Sequence, residues 1–389
     1  MPADPLLPVL DRRRLLAGGA MALLAGACPQ LAFARAATDR RFVFVIQRGA
    51  ADGLATLAPT GDPAFAALRG AFADLDGGTP LGDFFTLHPA LKQTAQLYAG
   101  GEALFVHATA SPYRERSHFD GQNVLETGGR AAYALRDGWL NRLLGLLPPA
   151  QGKAIALSAT VPMVLRGPRE VSSYAPSGLP DASADLMARV GAMYAADSRL
   201  HALWTEAMAT RDMAGDAAGR GGAQRGAQVG ALVARMLAED GARIAVVETQ
   251  GWDTHAGQKG RLASTLGGVD AQLAALKAGL GPAWADTLVL VATEFGRTAA
   301  PNGTGGTDHG TGAVAWLAGG AVQGGRVVAD WPGLRPADLF EGRDLRPTTG
   351  LDAVVTGALA AHFGLDPAHV ARTLFPDGPP KPLEGLLRA

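Results

Sequence analysis

The sequence predicts an α/β fold, a largely parallel sheet with helices on both faces, from three observations. Short runs such as Arg41–Gln47 and Thr287–Thr293 are almost wholly apolar, as strands buried on both faces are. Between such runs lie apolar residues at helical spacing, among them Leu262, Leu266, Val269, Leu273, Leu276 and Leu280. Strands that alternate with helices along one chain pair side by side in parallel, with the connecting helices covering the sheet.

The elements follow in order. Arg41–Gln47 is a strand, ended by Arg48-Gly49. Pro89–Tyr98 reads as a short helix and Ala103–Ala108 as the next strand. Phe119–Leu125 is helical, and so is Asp137–Leu147, with Asp137 as its cap. Ala154–Ser158 is a strand, and Leu186–Met213 is helical by composition. Gly215–Gly230, rich in Gly, Ala and Arg, reads as a loop or helix break. Val229, Leu232, Val233, Met236 and Leu237 then share one helical face. Arg243–Thr249, Thr287–Thr293, Ala313–Leu317 and Arg326–Val328 are strands, and Leu351–Phe363 is a late helix.

The N-terminus carries an export signal. Arg12, Arg13 and Arg14 precede the apolar stretch Leu15–Ala27, which is too short to span a bilayer as a mature helix. Ala34-Arg35-Ala36 supplies small residues for cleavage, which divides the chain into a leader, 1–36, and one mature domain, 37–389. Asp11-Arg12-Arg13-Arg14-Leu15-Leu16 resembles the twin-arginine signal, with an ordinary secretory signal or lipidation at Cys28 as alternatives. The expected location is periplasmic or secreted, and the expected first partner is the twin-arginine export machinery. Cys28 is the only cysteine, so the mature chain has neither disulfides nor thiolate ligands.

Composition narrows the function classes. With 35 basic and 36 acidic side chains and no basic run, the chain offers nothing to nucleic acid. No other segment is long and apolar enough for a membrane span.

In parallel sheets, ligands gather at the carboxyl ends of the strands. The polar, glycine-flanked segments fall there: Arg48-Gly-Ala-Ala-Asp-Gly53, Ser111–Asp120, Gly251-Trp-Asp-Thr-His255, Glu294-Phe-Gly-Arg-Thr298 and Gly305–Gly312. Asp52, Asp253, His255, Glu294, Asp308 and His309 are candidate metal ligands. Four carboxylates converging without a cation would repel one another, and one or two divalent ions (zinc, manganese, calcium or magnesium) would remove that conflict. Ser117, at the start of a helix, is the candidate nucleophile or anion binder, with attack by a metal-bound water as the alternative. Arg116, His118 and Arg297 are candidates for holding a small anionic substrate. Plainer roles stand beside these: Asp52 as a turn residue, Asp253 as a helix cap, Glu294 with Arg297 as a strand-end ion pair, and Ser117 as an N-cap. His88, His107, His201, His362 and His369 read as structural.

On these motifs the chain resembles the domain of unknown function 1501 family, over about Arg41 to Leu387. The pieces that carry the likeness are Gln47–Gly53, His107–Asp120, Gly251–His255, Ala292–Thr298 and Gly306–Gly312. That family resembles the alkaline phosphatase and sulfatase superfamily. The resemblance implies a three-layer α/β/α sandwich and metal-dependent hydrolysis of phosphate or sulfate esters. It places Asp52, Asp253, His255 and His309 among the ligands, Ser117 near the nucleophile position, and Thr127-Gly128 where sulfatases carry a Thr-Gly. The chain departs from that pattern in three places, one being that Ser117 lacks the cysteine or serine consensus that sulfatases use. Phe295 stands where a histidine is expected, and Asp253 and His255 are two apart rather than four. The expectation is a periplasmic metal-dependent hydrolase. The alternative is a non-catalytic protein that binds a cell-envelope ligand. An esterase is the weaker third reading, because the Gly-x-Ser-x-Gly elbow is absent.

Overall fold

The computed structural model describes residues 39–148, 152–174, 184–195, 197, 199–205, 222–238 and 241–388. The expected leader and cleavage site lie outside the described residues.

The strands in chain order are β1 (Arg41–Gln47), β2 (Leu57–Ala58), β3 (Thr79–Leu81), β4 (Phe85–Leu87), β5 (Ala103–Ala110), β6 (Ala154–Leu157), β7 (Ser172–Ser173), β8 (Ile244–Thr249), β9 (Thr287–Thr293), β10 (Ala313–Ala318), β11 (Arg326–Val328) and β12 (Thr349–Gly350). Among the described residues, nine of these form one sheet in the order β11-β5-β10-β9-β1-β8-β6-β7, with β12 also on β5. β2, β4 and β3 make a small antiparallel sheet. The centre of the large sheet is parallel, β1 pairing with both β8 and β9.

Successive side chains of a strand point to opposite faces, and both faces here are covered. Phe42, Phe44 and Ile46 of β1 pack in one buried cluster with Trp139, Leu143 and Val354, which lie on the helices Trp139–Leu144 and Leu351–Phe363. Val43 and Val45 pack in the other, with Leu232, Leu266 and Leu273 from the helices Gly222–Met236 and Gln258–Leu280. The chain is therefore the expected three-layer α/β/α sandwich around a mostly parallel sheet.

Four details differ from the sequence reading. β10 runs antiparallel to β5 and β9. A parallel return needs a crossover, normally a helix, and residues 294–312 contain none. The chain therefore turns back at the strand end and leaves the Gly305–Gly312 loop at the edge where β9 and β5 finish. The glycines of the expected Gly215–Gly230 break lie, from Gly222 on, inside a helix. A Cβ on Gly226 would stand 1.9 Å from the Gly268 carbonyl oxygen and one on Gly230 2.2 Å from that of Gln272. These glycines let two helices approach closely. Asp137 is not a cap. Gly138 holds that position, and Asp137 accepts from Arg142 instead. The helical stretch expected over Leu186–Met213 is described as Ala184–Tyr194 and 199–205, its remainder lying outside the described residues.

No helix among the described residues is long and apolar enough to cross a membrane.

Candidate metal centre

Each element delivers its side chain for a local reason. Gly49 follows β1 with φ +119°, and a Cβ there would be 2.6 Å from the Asp253 nitrogen. Only glycine lets the loops after β1 and β8 touch. The loop after β5 ends at Ser117, the N-cap of the helix His118–Thr127, which presents His118 in its first turn. The helix is tied back at its far end, where Glu126 accepts from Arg48 at 2.9 Å. Arg48 also contacts Glu248 of β8.

Three histidines face one aspartate. His118 Nδ1 lies 2.9 Å from Glu294 Oε1, His255 Nδ1 2.9 Å from Asp308 Oδ1, and His309 Nδ1 2.9 Å from the Arg116 carbonyl oxygen. All three partners can only accept, so each Nδ1 carries a proton and each ring turns its Nε2 the other way. The three Nε2 atoms converge. His309 Nε2 is 3.2 Å and His255 Nε2 3.0 Å from Asp253 Oδ1, and the two nitrogens are 3.1 Å apart. His118 Nε2 is 3.6 Å from Asp253 Oδ2 and is buried without a hydrogen-bond partner.

The hydrogen bond to Glu294 raises the His118 pKa against the effect of burial. Burial lowers that of His309, with the nearby His118 and Arg297 acting the same way. Burial would raise Asp253, but Arg297, donating at 2.6 Å, holds it below the usual carboxylate range together with His255 and His118.

These donors fit a divalent cation. Ligand atoms of His118, Asp253 and His309 lie within 4.8 Å of one another. The spacings of 3.0–3.6 Å bracket the edge of about 3.3 Å of a tetrahedron around an ion with bonds near 2.0 Å. Imidazoles with one carboxylate suit zinc better than calcium or magnesium, which prefer oxygen throughout.

The structure sorts the sequence candidates. Asp253, His255 and His309 come together as ligand-bearing groups. His118, expected to hold substrate, joins them with its free Nε2. Glu294 and Asp308 stand one step back, each orienting a histidine. Glu294 is fully buried and also accepts from Gly49 N at 2.9 Å, Gln122 Nε2 at 3.3 Å and Thr293 Oγ1 at 2.9 Å. Asp52 is placed elsewhere. Its Oδ1 accepts from Ala55 N at 3.0 Å, and its Oδ2 accepts from Arg69 and Gln258, both at 2.6 Å. That makes it a buried N-cap and ion pair. Arg297 is buried against Asp253 and Thr307, and Arg116 is bound to Asp344 and Glu341, so neither guanidinium is open to a substrate anion. Arg116 acts through its backbone, at φ +62°, by orienting His309. Ser117 makes no capping bond with its side chain, and its nitrogen donates to the Tyr113 hydroxyl at 3.0 Å. Phe295, found where a histidine was expected, stacks on His118 with centroids 5.1 Å apart and tilts against His309 at 5.5 Å. It is a wall for two ligands.

The profile of the family described as "Protein of unknown function (DUF1501)" matches residues 81–375, a span that holds every side chain of the cluster. The chain belongs to the DUF1501 family. No curated protein matches it. Three similar solved structures are Ps i-CgsB in complex with k-i-k-neocarrahexaose, the C-terminal periplasmic domain of EcEptC from Escherichia coli in complex with Zn, and the phosphonate monoester hydrolase of Agrobacterium radiobacter. Their identities to this DUF1501 chain are 11%, 9% and 14%, with TM-scores of 0.40, 0.35 and 0.38. The alignments cover 85%, 72% and 87% of this chain and 73%, 72% and 78% of those structures. Likeness this loose transfers neither a residue nor a reaction.

Proposed function

We propose that this DUF1501 protein is a zinc-dependent hydrolase of phosphate or sulfate esters, exported by the twin-arginine route to the periplasm. The observation that carries the reading is the convergence of three imidazole Nε2 atoms on Asp253. Each imidazole is backed by an acceptor on its other nitrogen, and the His118 Nε2 has no partner. His118, Asp253, His309 and the adjoining His255 would hold the metal. When bound, zinc supplies Lewis-acid polarisation of an ester oxygen and a lowered pKa for a water or hydroxyl nearby.

The chain's own groups supply the rest. Ser117 sits beside His118 at a helix N-terminus where its hydroxyl does no capping, which supports it as the nucleophile or anion binder of this reading. The first-turn N–H groups of that helix favour a tetrahedral anion. Glu294, Asp308 and the Arg116 carbonyl fix the histidine tautomers.

The test combines metal content with turnover. Protein matured in the cytoplasm should hold zinc and hydrolyse aryl phosphates or sulfates, and chelator, Asp253→Asn and His309→Ala should each abolish both. Metal-free protein with chelator-resistant hydrolysis would overturn the proposal. A second reading is a zinc-holding protein of the cell envelope without catalysis. It is favoured by the engagement of Arg116 and Arg297 with carboxylates rather than with open space. Stoichiometric zinc with no turnover of any ester would select it.

A further inference from the structure

Behind the histidine cluster runs a buried chain of side chains that ends on Asp52. Arg297 donates through Nη1 to Asp253 Oδ1 at 2.6 Å and through Nε to Thr307 Oγ1 at 3.2 Å. The Thr307 hydroxyl donates to Gln258 Oε1 at 2.6 Å, and the Thr254 hydroxyl donates to the same oxygen at 2.9 Å. Gln258 Nε2 donates to Asp52 Oδ2 at 2.6 Å, where Arg69 Nη2 also donates at 2.6 Å. Asp52, Arg69, Thr254, Gln258, Arg297 and Thr307 are each at most 2% exposed.

The chain has one satisfied orientation. Asp52 only accepts and therefore draws the amide nitrogen of Gln258. The amide oxygen must then accept, and both threonines turn their hydroxyl protons to it. That leaves the Thr307 lone pairs facing the Arg297 Nε–H. The residue types follow from this order. Gln258 must accept twice and donate to a buried carboxylate. A glutamate there would set two carboxylates face to face away from water. The ends are two ion pairs, Asp253 with Arg297 and Asp52 with Arg69, joined through neutral groups. Buried polar chains of this kind are costly when one link is missing and rigid when all are present.

We propose that Gln258 and Thr307 are positioning residues of the metal centre. They lock the Arg297 guanidinium, and Arg297 holds the Asp253 carboxylate where the histidine nitrogens meet it. Asp52 anchors the chain from its far end. The inference rests on the metal-centre reading for its affinity readout and on geometry alone for its second readout.

The experiment uses the full mature chain with zinc as the probe. Thr307→Val removes the hydroxyl at nearly constant volume, Gln258→Met removes the amide, and Thr307→Ser keeps the hydroxyl. Zinc dissociation constants are measured by chelator competition below each variant's own melting transition. Thr307→Val and Gln258→Met should each weaken zinc binding by about 10–100-fold, the usual effect of losing an outer support of a metal site. Thr307→Ser should restore wild-type affinity. Crystals of zinc-free Thr307→Val should show the Asp253 carboxylate turned from its wild-type position. Wild-type zinc affinity in folded Thr307→Val, or an unmoved Asp253 in its crystals, overturns the inference. A wild-type chain that binds no zinc would sink the metal-centre reading alone, and the crystal comparison would still decide the relay.

Discussion

Replacing Glu294 by glutamine tests how His118 is held. Glu294 is buried and accepts four hydrogen bonds, from Gly49 N, His118 Nδ1, Gln122 Nε2 and Thr293 Oγ1. Glutamine has the same shape but one acceptor oxygen. Set at the Oε1 position, that oxygen keeps three of the four bonds. The new amide then faces Thr293 Oγ1, whose hydroxyl already donates to the Gln47 carbonyl at 2.7 Å and loses only its second acceptor. The fold therefore tolerates the change, and metal-free stability should move by less than about 1 kcal/mol, the size of one ordinary hydrogen bond. What disappears is the charge behind the imidazole. Losing it should weaken zinc by about 10–100-fold, or about 1.4–2.7 kcal/mol. Chelator competition measures the affinity and urea unfolding of the metal-free protein measures the stability. Zinc affinity unchanged in a folded Glu294→Gln protein would refute the claim that this carboxylate tunes His118.

Other outcomes follow from the same contacts. Arg69→Met leaves the Asp52 carboxylate buried without its counter-charge, and unfolding free energy should drop by about 3–5 kcal/mol by denaturant titration. A drop below about 1 kcal/mol, the worth of an exposed pair, would mean that Asp52 is not structurally committed. Gly226→Val drives a side chain into the Gly268 carbonyl, and a melting temperature equal to wild type would contradict the close helix approach. His107 is stacked on Phe85, donates from Nε2 to the Leu57 carbonyl and accepts the Ala108 N–H on Nδ1, and burial, outweighing the opposing effect of the Leu57 hydrogen bond, depresses its pKa to about 4. Its contribution is complete above the unfolded value near 6.5 and is lost as pH falls from there through about 4, by about 3 kcal/mol. His107→Gln should flatten that part of the acid-unfolding profile, and an unchanged slope would speak against it.

The sandwich was legible because its strands are continuous apolar runs and its helices carry regular apolar stripes, both local signals. The site was half legible. The strand-end rule brought Asp253, His255 and His309 to one edge, since it needs only strand positions. It could not say which polar group faces the cluster and which stands behind it. His118 lies in a run of charged residues, and its role depends on Glu294, 176 residues away. Asp52 looked like a ligand because Gln258, which claims its Oδ2, is 206 residues distant. Arg116 and Arg297 looked free for a substrate because Asp344 and Asp253 are far along the chain. The glycines from Gly222 to Gly230 looked like a break because sequence shows the missing side chain and not the helix that fills its place. In each case the missing information was a remote partner.

The most direct measurement of the central claim is anomalous scattering at the zinc edge, from crystals of cytoplasm-matured protein grown without chelator. The account predicts a peak within bonding distance of His118 Nε2, His309 Nε2 and an Asp253 oxygen. A well-ordered site with no peak there, or a peak bound only by residues elsewhere, would contradict it.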